Sequence, residues 1–166
     1  MEGFEVTKIG KHIFCILDAG NSSFYMVEGD EKAAVIDTGI TTGKKIMPLL
    51  RELTDKPLLL VVTHVHLDHI YHMDEFEEVY MCHDEKKIDE TTLRTLTAGR
   101  LKPWDEIHDI HTDSVISLGG TELRICQVPG HTPGSYSGKQ GELPVHRRCD
   151  RKRMWRLDAD SRINGS

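Results

Sequence analysis

The sequence has little that would staple a fold or anchor it in a membrane. Its four cysteines, Cys15, Cys82, Cys126 and Cys149, are far apart and contain no Cys-x-x-Cys spacing. That argues against a disulfide framework and a structural zinc knuckle, and leaves reduced, mostly buried thiols as the expectation. No apolar run approaches the roughly 20 residues that span a bilayer. The opening Met1-Glu2-Gly3-Phe4-Glu5 lacks the basic and apolar regions of a signal peptide, so a cytoplasmic location is expected. Basic charge is in deficit, with 21 Lys and Arg against 27 Asp and Glu, a net charge of −6. Such a balance offers no electrostatic footprint for nucleic acid or an anionic membrane, and neither partner is expected. No internal repeat or low-complexity segment stands out.

What is present suits a soluble globular chain. Hydrophobic residues make up 38% and charged residues 29% of 166 positions, enough for one domain with a real core. Phe4 to Ile9, Ile13 to Leu17 and Phe24 to Val27 read as short strands separated by turn residues. Ala33-Ala34-Val35-Ile36 reads as a buried strand ending at Asp37-Thr38-Gly39. A carboxylate in that place needs partners. Ile46, Leu49, Leu50 and Leu53 form one apolar stripe, which predicts a helix from Thr41 or Thr42 to about Asp55, shortened or kinked by Pro48. Further on, helical turns are expected at Met73–Glu78 and a helix from Asp84 through Ile88 toward Leu96. Strands are expected at Val79–Met81, Glu106–His111, Ser114–Leu118 and Thr121–Val128, with Gly119-Gly120 as a hairpin turn.

The chemistry concentrates in Thr63-His64-Val65-His66-Leu67-Asp68-His69-Ile70, directly after the apolar run Leu58-Leu59-Leu60-Val61-Val62. Such a run reads as a strand buried on both faces. Imidazole and carboxylate are usual zinc ligands. In extended backbone His64, His66 and Asp68 share a face, and a bend is needed to bring in His69. Four donors from one short loop suit two adjacent metals better than one tetrahedral ion. Because the chain holds 10 histidines, some clustering arises by chance, and a lone His-x-His would weigh little. His12, His83, His108, His111 and His146 are isolated and expected in solvent. His72 is expected at the surface or facing substrate.

The full His-x-His-x-Asp-His pattern after a buried strand resembles the signature of the metallo-β-lactamase superfamily. A second stretch, Val128-Pro129-Gly130-His131-Thr132-Pro133-Gly134-Ser135, resembles the next metal loop of that family in its glyoxalase II-like form. The resemblance covers roughly Phe4 to Tyr136. It implies an α/β fold, the N-terminal half of an αββα sandwich. It also implies a zinc hydrolase acting on a small-molecule ester, thioester or related bond. By that resemblance His64, His66 and His131 hold one zinc, and Asp68 and His69 contribute to a second. Asp68 also has a possible proton-transfer role, and Asp37 braces the loop from behind. His66 stands where redox relatives carry Glu, which favours the hydrolase pattern.

The pattern breaks after the second loop. The family continues with an apolar strand, a turn like Phe-Thr-Gly-Asp whose Asp bridges the metals, and a later histidine. Here Ser137-Gly138-Lys139-Gln140-Gly141 leads into Arg147-Arg148-Cys149-Asp150-Arg151-Lys152-Arg153. The permitted codons CCT GTT CAC CGG CGA TGC GAT for Pro144 to Asp150, followed by the C that can open Arg151, read Leu-Phe-Thr-Gly-Asp-Ala-Ile in the frame one nucleotide later. The expectation is an incomplete metallo-β-lactamase-like domain at 1–137 and an out-of-frame or poorly ordered tail at 138–166. The alternative function is an incomplete metal-binding fragment without catalytic activity, with self-association through an exposed sheet face.

Overall fold

A computed structural model describes residues 3–127 and 136–139. The larger sheet has seven strands in sequence order: β1 (Phe4–Lys8), β2 (Ile13–Asp18), β3 (Ser23–Glu28), β4 (Ala33–Ile36), β5 (Leu58–Val62), β6 (Glu78–Cys82) and β7 (His108–Ile110). Short turns join β1 to β4, so these strands pair antiparallel. From β4 to β7 the pairing is parallel. Parallel neighbours need crossovers. These carry the helices α1 (Met47–Leu53), α2 (Leu67–Ile70) and α3 (Glu90–Leu96). A second sheet holds β8 (Val115–Ser117), β9 (Glu122–Gln127) and β10 (Tyr136–Lys139), paired antiparallel in the order β10-β9-β8.

Alternation of side chains assigns each strand two faces. Ala33, Val35, Leu60 and Val62 pack under the helices with Ile46, Leu49, Leu50, Ile70 and Phe76. Ala34, Ile36, Leu59 and Val61 point the other way and meet Ile116, Leu118, Leu123 and Ile125 of the second sheet. The central strands are therefore apolar at every position because both faces are covered. The result is helices on one sheet and that sheet on another, the expected half of the αββα sandwich. On the outer face of β8 and β9, Val115, Ser117, Glu122 and Arg124 are exposed, and only Val115 is apolar.

Close backbone approach joins the sheets at one corner. Glu31 and Lys32 donate to the Leu118 carbonyl at 2.9 and 3.0 Å, and Asp30 donates to that of Gly119 at 2.6 Å. A Cβ on Gly29 would lie 2.2 Å from the Leu118 carbonyl oxygen, so only glycine fits there.

Several expected boundaries move. The helix predicted from Thr41 starts at Met47, with Pro48 in its first turn, where a missing N–H costs little. The Ile46 and Met47 amides donate to the Glu75 carboxylate at 3.2 and 2.9 Å, so a side chain distant in sequence caps this helix. The helix predicted from Asp84 to Leu96 divides into a 3-10 turn, His83–Lys87, and α3. Asp89 causes the restart by accepting from the Thr92 amide at 2.9 Å. The strand predicted at Glu106–His111 shrinks to β7, preceded by a 3-10 turn at Trp104–Glu106. Strand β10 runs through Lys139, past position 137. The other residues of 138–166, with the expectation of a poorly ordered tail, lie outside the described residues.

Candidate metal centre

Strands β2, β4, β5 and β6 run in the same direction, so their C-terminal ends share one edge of the sheet. Ligand sites of open sheets favour that edge. Asp18, Asp37, Thr63 and Glu85 all follow or end these strands, and all four are buried. Their bonds fix the loop that carries the histidines.

Asp37 sits at φ +64°, a left-handed conformation that Asp tolerates better than most residues. The turn after it is held by Asp18, whose carboxylate accepts from the Ile40 amide at 2.6 Å. Gly39 lies between them at φ +71°, and a Cβ there would come within 2.7 Å of the Asp18 carboxylate. Thus held, Asp37 accepts from the Thr63 amide at 2.9 Å and from the Thr63 hydroxyl at 2.7–2.8 Å. It also meets His69 Nδ1 at 2.7 Å. Burial opposes a charge on His69, but Asp37 and Asp68 together outweigh it and push the imidazole pKa up to about 9.

The bend that His69 requires is the start of α2. His66 is still extended, at φ −84° and ψ 153°, and the helix begins at the next residue. His64 and His66 therefore alternate as in a strand, while Asp68 and His69 emerge from a helical turn. His64 Nε2 lies 3.0 Å from His66 Nδ1. His69 Nε2 lies 3.2 Å from Asp68 Oδ2. The His64 and His69 rings adjoin, with centroids 3.9 Å apart. The structure thus brings His64, His66, Asp68 and His69 together as two neighbouring pairs. Among the described residues, no three His, Cys, Asp or Glu side chains are gathered as one ready-made metal site. His131 lies outside the described residues.

The hydrogen bonds also assign protons. The single hydroxyl proton of Thr63 goes to Asp37, so its oxygen accepts from His64 Nδ1 at 3.1 Å. His64 then carries its proton on Nδ1 and turns a lone pair on Nε2 toward His66. His69 donates from Nδ1 to Asp37, which aims Nε2 at Asp68. A histidine whose far nitrogen is held by a carboxylate is the usual arrangement of a metal ligand. Tetrahedral zinc with bonds of about 2.0–2.1 Å separates two ligand nitrogens by about 3.3 Å. The 3.0 Å separation of the His64–His66 pair is close to that, and these donors fit zinc. His64 and His69 are 1% and 4% exposed, whereas His66 is exposed and Asp68 half-buried, so the site opens to solvent on their side.

Sequence reasoning missed several supports. Thr63 lies inside the histidine stretch, yet its residue type gave no sign of a role. Ser22, in the turn before β3, donates to Asp68 Oδ2 at 3.3 Å. Glu85 and Asp18 gave no sequence signal beyond being carboxylates near strand ends. His72 departs from expectation: it is fully buried, not at the surface. Its Nδ1 meets Glu75 at 2.9 Å, and its amide donates to Thr38 at 3.2 Å. The expected solvent placement does hold for His83, His108 and His111, and His12 is half-buried.

Comparison with known proteins places this arrangement. The model of the "Metallo-beta-lactamase superfamily" matches residues 17–145. The chain belongs to that superfamily. Human "Acyl-coenzyme A thioesterase MBLAC2" is 28% identical over 173 residues, covering 81% of this chain and 61% of that protein. "Probable metallo-hydrolase YqgX" of Bacillus subtilis strain 168 is 32% identical over 126 residues, covering 68% and 57% respectively. The chain thus spans about three-fifths of the length of these curated relatives. Among solved structures, the class B3 di-zinc metallo-beta-lactamase LRA-12 from an Alaskan soil metagenome superposes with a TM-score of 0.65 at 20% identity. It covers 81% of this chain and 56% of that one, a likeness of fold. Within this metallo-beta-lactamase fold, no helix among the described residues is long and apolar enough to cross a membrane.

Proposed function

We propose that the chain is a zinc-dependent hydrolase of a small-molecule ester, thioester or related bond. The observation that carries this is the pairing of His64 Nε2 with His66 Nδ1 at 3.0 Å, with the Thr63 hydroxyl holding His64 Nδ1 so that its Nε2 is left for a metal. His64, His66 and His131 would hold one zinc, and Asp68 and His69 would contribute to a second. Bound zinc supplies a Lewis acid for the substrate carbonyl and lowers the pKa of water to near neutrality. The protein's own part is positional. Thr63 keeps the His64 proton on Nδ1, Asp37 fixes the Nδ1 side of His69, and buried neighbours exclude water behind them. Asp68, half-buried and steadied by Ser22, can hold a proton at Oδ2 on the open side. The human relative's name supports the thioester class, and the glyoxalase II-like form of the second loop agrees with it.

A second reading is an incomplete metal-binding fragment without turnover. Its support is that the described donors come as pairs, each short of a full ligand set. It includes self-association through an exposed sheet face and shares with the first a cytoplasmic location. One experiment separates the two. Metal content is measured per chain beside hydrolysis of an acyl-CoA, a lactone and a β-lactam, for the wild type and for His64→Ala with His66→Ala. Zinc-dependent thioester hydrolysis that the double variant loses supports the hydrolase. Zinc bound without turnover, with sedimentation showing oligomers, supports the fragment. Unchanged zinc content in the double variant would remove these histidines from the site.

A further inference from the structure

Glu85 is the most deeply buried carboxylate near the site, with no exposed surface. Nothing in the histidine motif asks for it. It lies on the 3-10 turn after β6, and its Oε2 accepts from the Val65 amide at 2.9 Å. That amide belongs to the peptide joining His64 to Val65, between the two paired histidines.

The placement has a topological logic. Strand β5 lies between β4 and β6, and all three are parallel. The loop leaving β5 is therefore flanked at one sheet edge by the loops leaving its two neighbours. Asp37, after β4, takes the Thr63 amide at 2.9 Å. Glu85, after β6, takes the Val65 amide at 2.9 Å. Alternate amides are thus held by carboxylates from the two neighbouring loops, and the Glu85 bond pins the peptide plane between His64 and Val65, on the way to His66. Burying a carboxylate is costly, and water could serve a surface-loop amide without that cost. The return is rigidity where it matters, because a ligand pair must be held within about 0.5 Å to be productive.

We propose that Glu85 is a positioning residue for the metal centre, setting the His64–His66 spacing through the Val65 amide. The inference rests on the zinc reading above. The test uses the full chain, stripped of metal and titrated with zinc against a chromophoric chelator, with the cobalt absorption spectrum as a second readout. Glu85→Met fills the volume without an acceptor of comparable strength. Glu85→Asp keeps the charge but draws it back by one methylene. Glu85→Gln keeps an acceptor oxygen in place. The Met and Asp variants should lose about 10- to 100-fold in zinc affinity and change the cobalt bands. The Gln variant should stay close to wild type. Wild-type affinity and spectrum in folded Met or Asp variants would overturn the proposal, since a merely structural role lowers the melting temperature without altering the site. Should Glu85→Met not fold, Glu85→Asp carries the same comparison. A wild type that binds no zinc overturns the zinc reading and this inference together. A wild type that binds, with only the Glu85 variants unaffected, overturns this inference alone.

Discussion

Replacing Asp37 with Asn changes one atom and keeps both the volume and the tolerance for φ +64°. Its effect should nonetheless be large. The Asp37 carboxylate receives three donors, the Thr63 amide, the Thr63 hydroxyl and His69 Nδ1, all within 2.9 Å. An amide offers one oxygen and one NH2. If the oxygen faces Thr63, the NH2 faces His69 and clashes with its proton. That proton must then leave, and His69 keeps only the one on Nε2, the nitrogen aimed at Asp68. If the amide flips, the clash moves to the Thr63 amide. One buried donor is mismatched either way, at about 1–3 kcal/mol, and the charge facing His69 is lost as well. A net loss of about 2–3 kcal/mol should lower the melting temperature of a chain this size by about 4–12 °C. Zinc affinity should fall about 10- to 100-fold, because the supporting carboxylate of a ligand histidine is gone. The assay is thermal unfolding in chelator, followed by zinc competition on the folded variant. An Asn variant that melts and binds like wild type would show that the Asp37 bonds carry neither stability nor tautomer control.

Other outcomes are expected. Gly29→Ala should destabilise by about 2–3 kcal/mol or leave the chain insoluble, because the new methyl would meet the Leu118 carbonyl oxygen at 2.2 Å and backbone must move; urea unfolding checks it, and an unchanged midpoint would contradict the close approach. Burial opposes ionisation of Glu75, but His72 and the Met47 and Ile46 amides together hold its carboxyl below the usual range. A lowered folded pKa gives stability that is present above the unfolded value and lost as pH falls through the folded one. Glu75→Gln should therefore flatten the stability loss below about pH 4.5, and an acid-unfolding curve as steep as wild type would count against it. The gene itself tests the shifted frame: its codons for Pro144–Asp150 with the first base of Arg151 should spell Leu-Phe-Thr-Gly-Asp-Ala-Ile one nucleotide later, and codons that cannot do so end that idea.

The sequence by itself determined the strands and the chemistry of the site. Runs such as Ala33–Ile36 and Leu58–Val62 are apolar throughout, so burial on both faces followed from the residues alone. Histidines packed into one short loop identify themselves by spacing, because side-chain direction in extended backbone follows from parity. Helix starts were less legible. Ile46 and Met47 begin α1 because Glu75, far along the chain, accepts from their amides, and no local pattern carries that information. His72 reads as a polar residue near a site, yet Glu75 and Thr38 bury it. Only the tertiary structure decided which carboxylates hold the histidine loop. Asp37 and Glu85 are far apart in sequence and reach Thr63 and Val65 of one loop because three parallel strands end at one edge. Spacing along a chain cannot express that meeting, since it depends on the order of strands in the sheet and on the hydrogen bonds that buried groups must find.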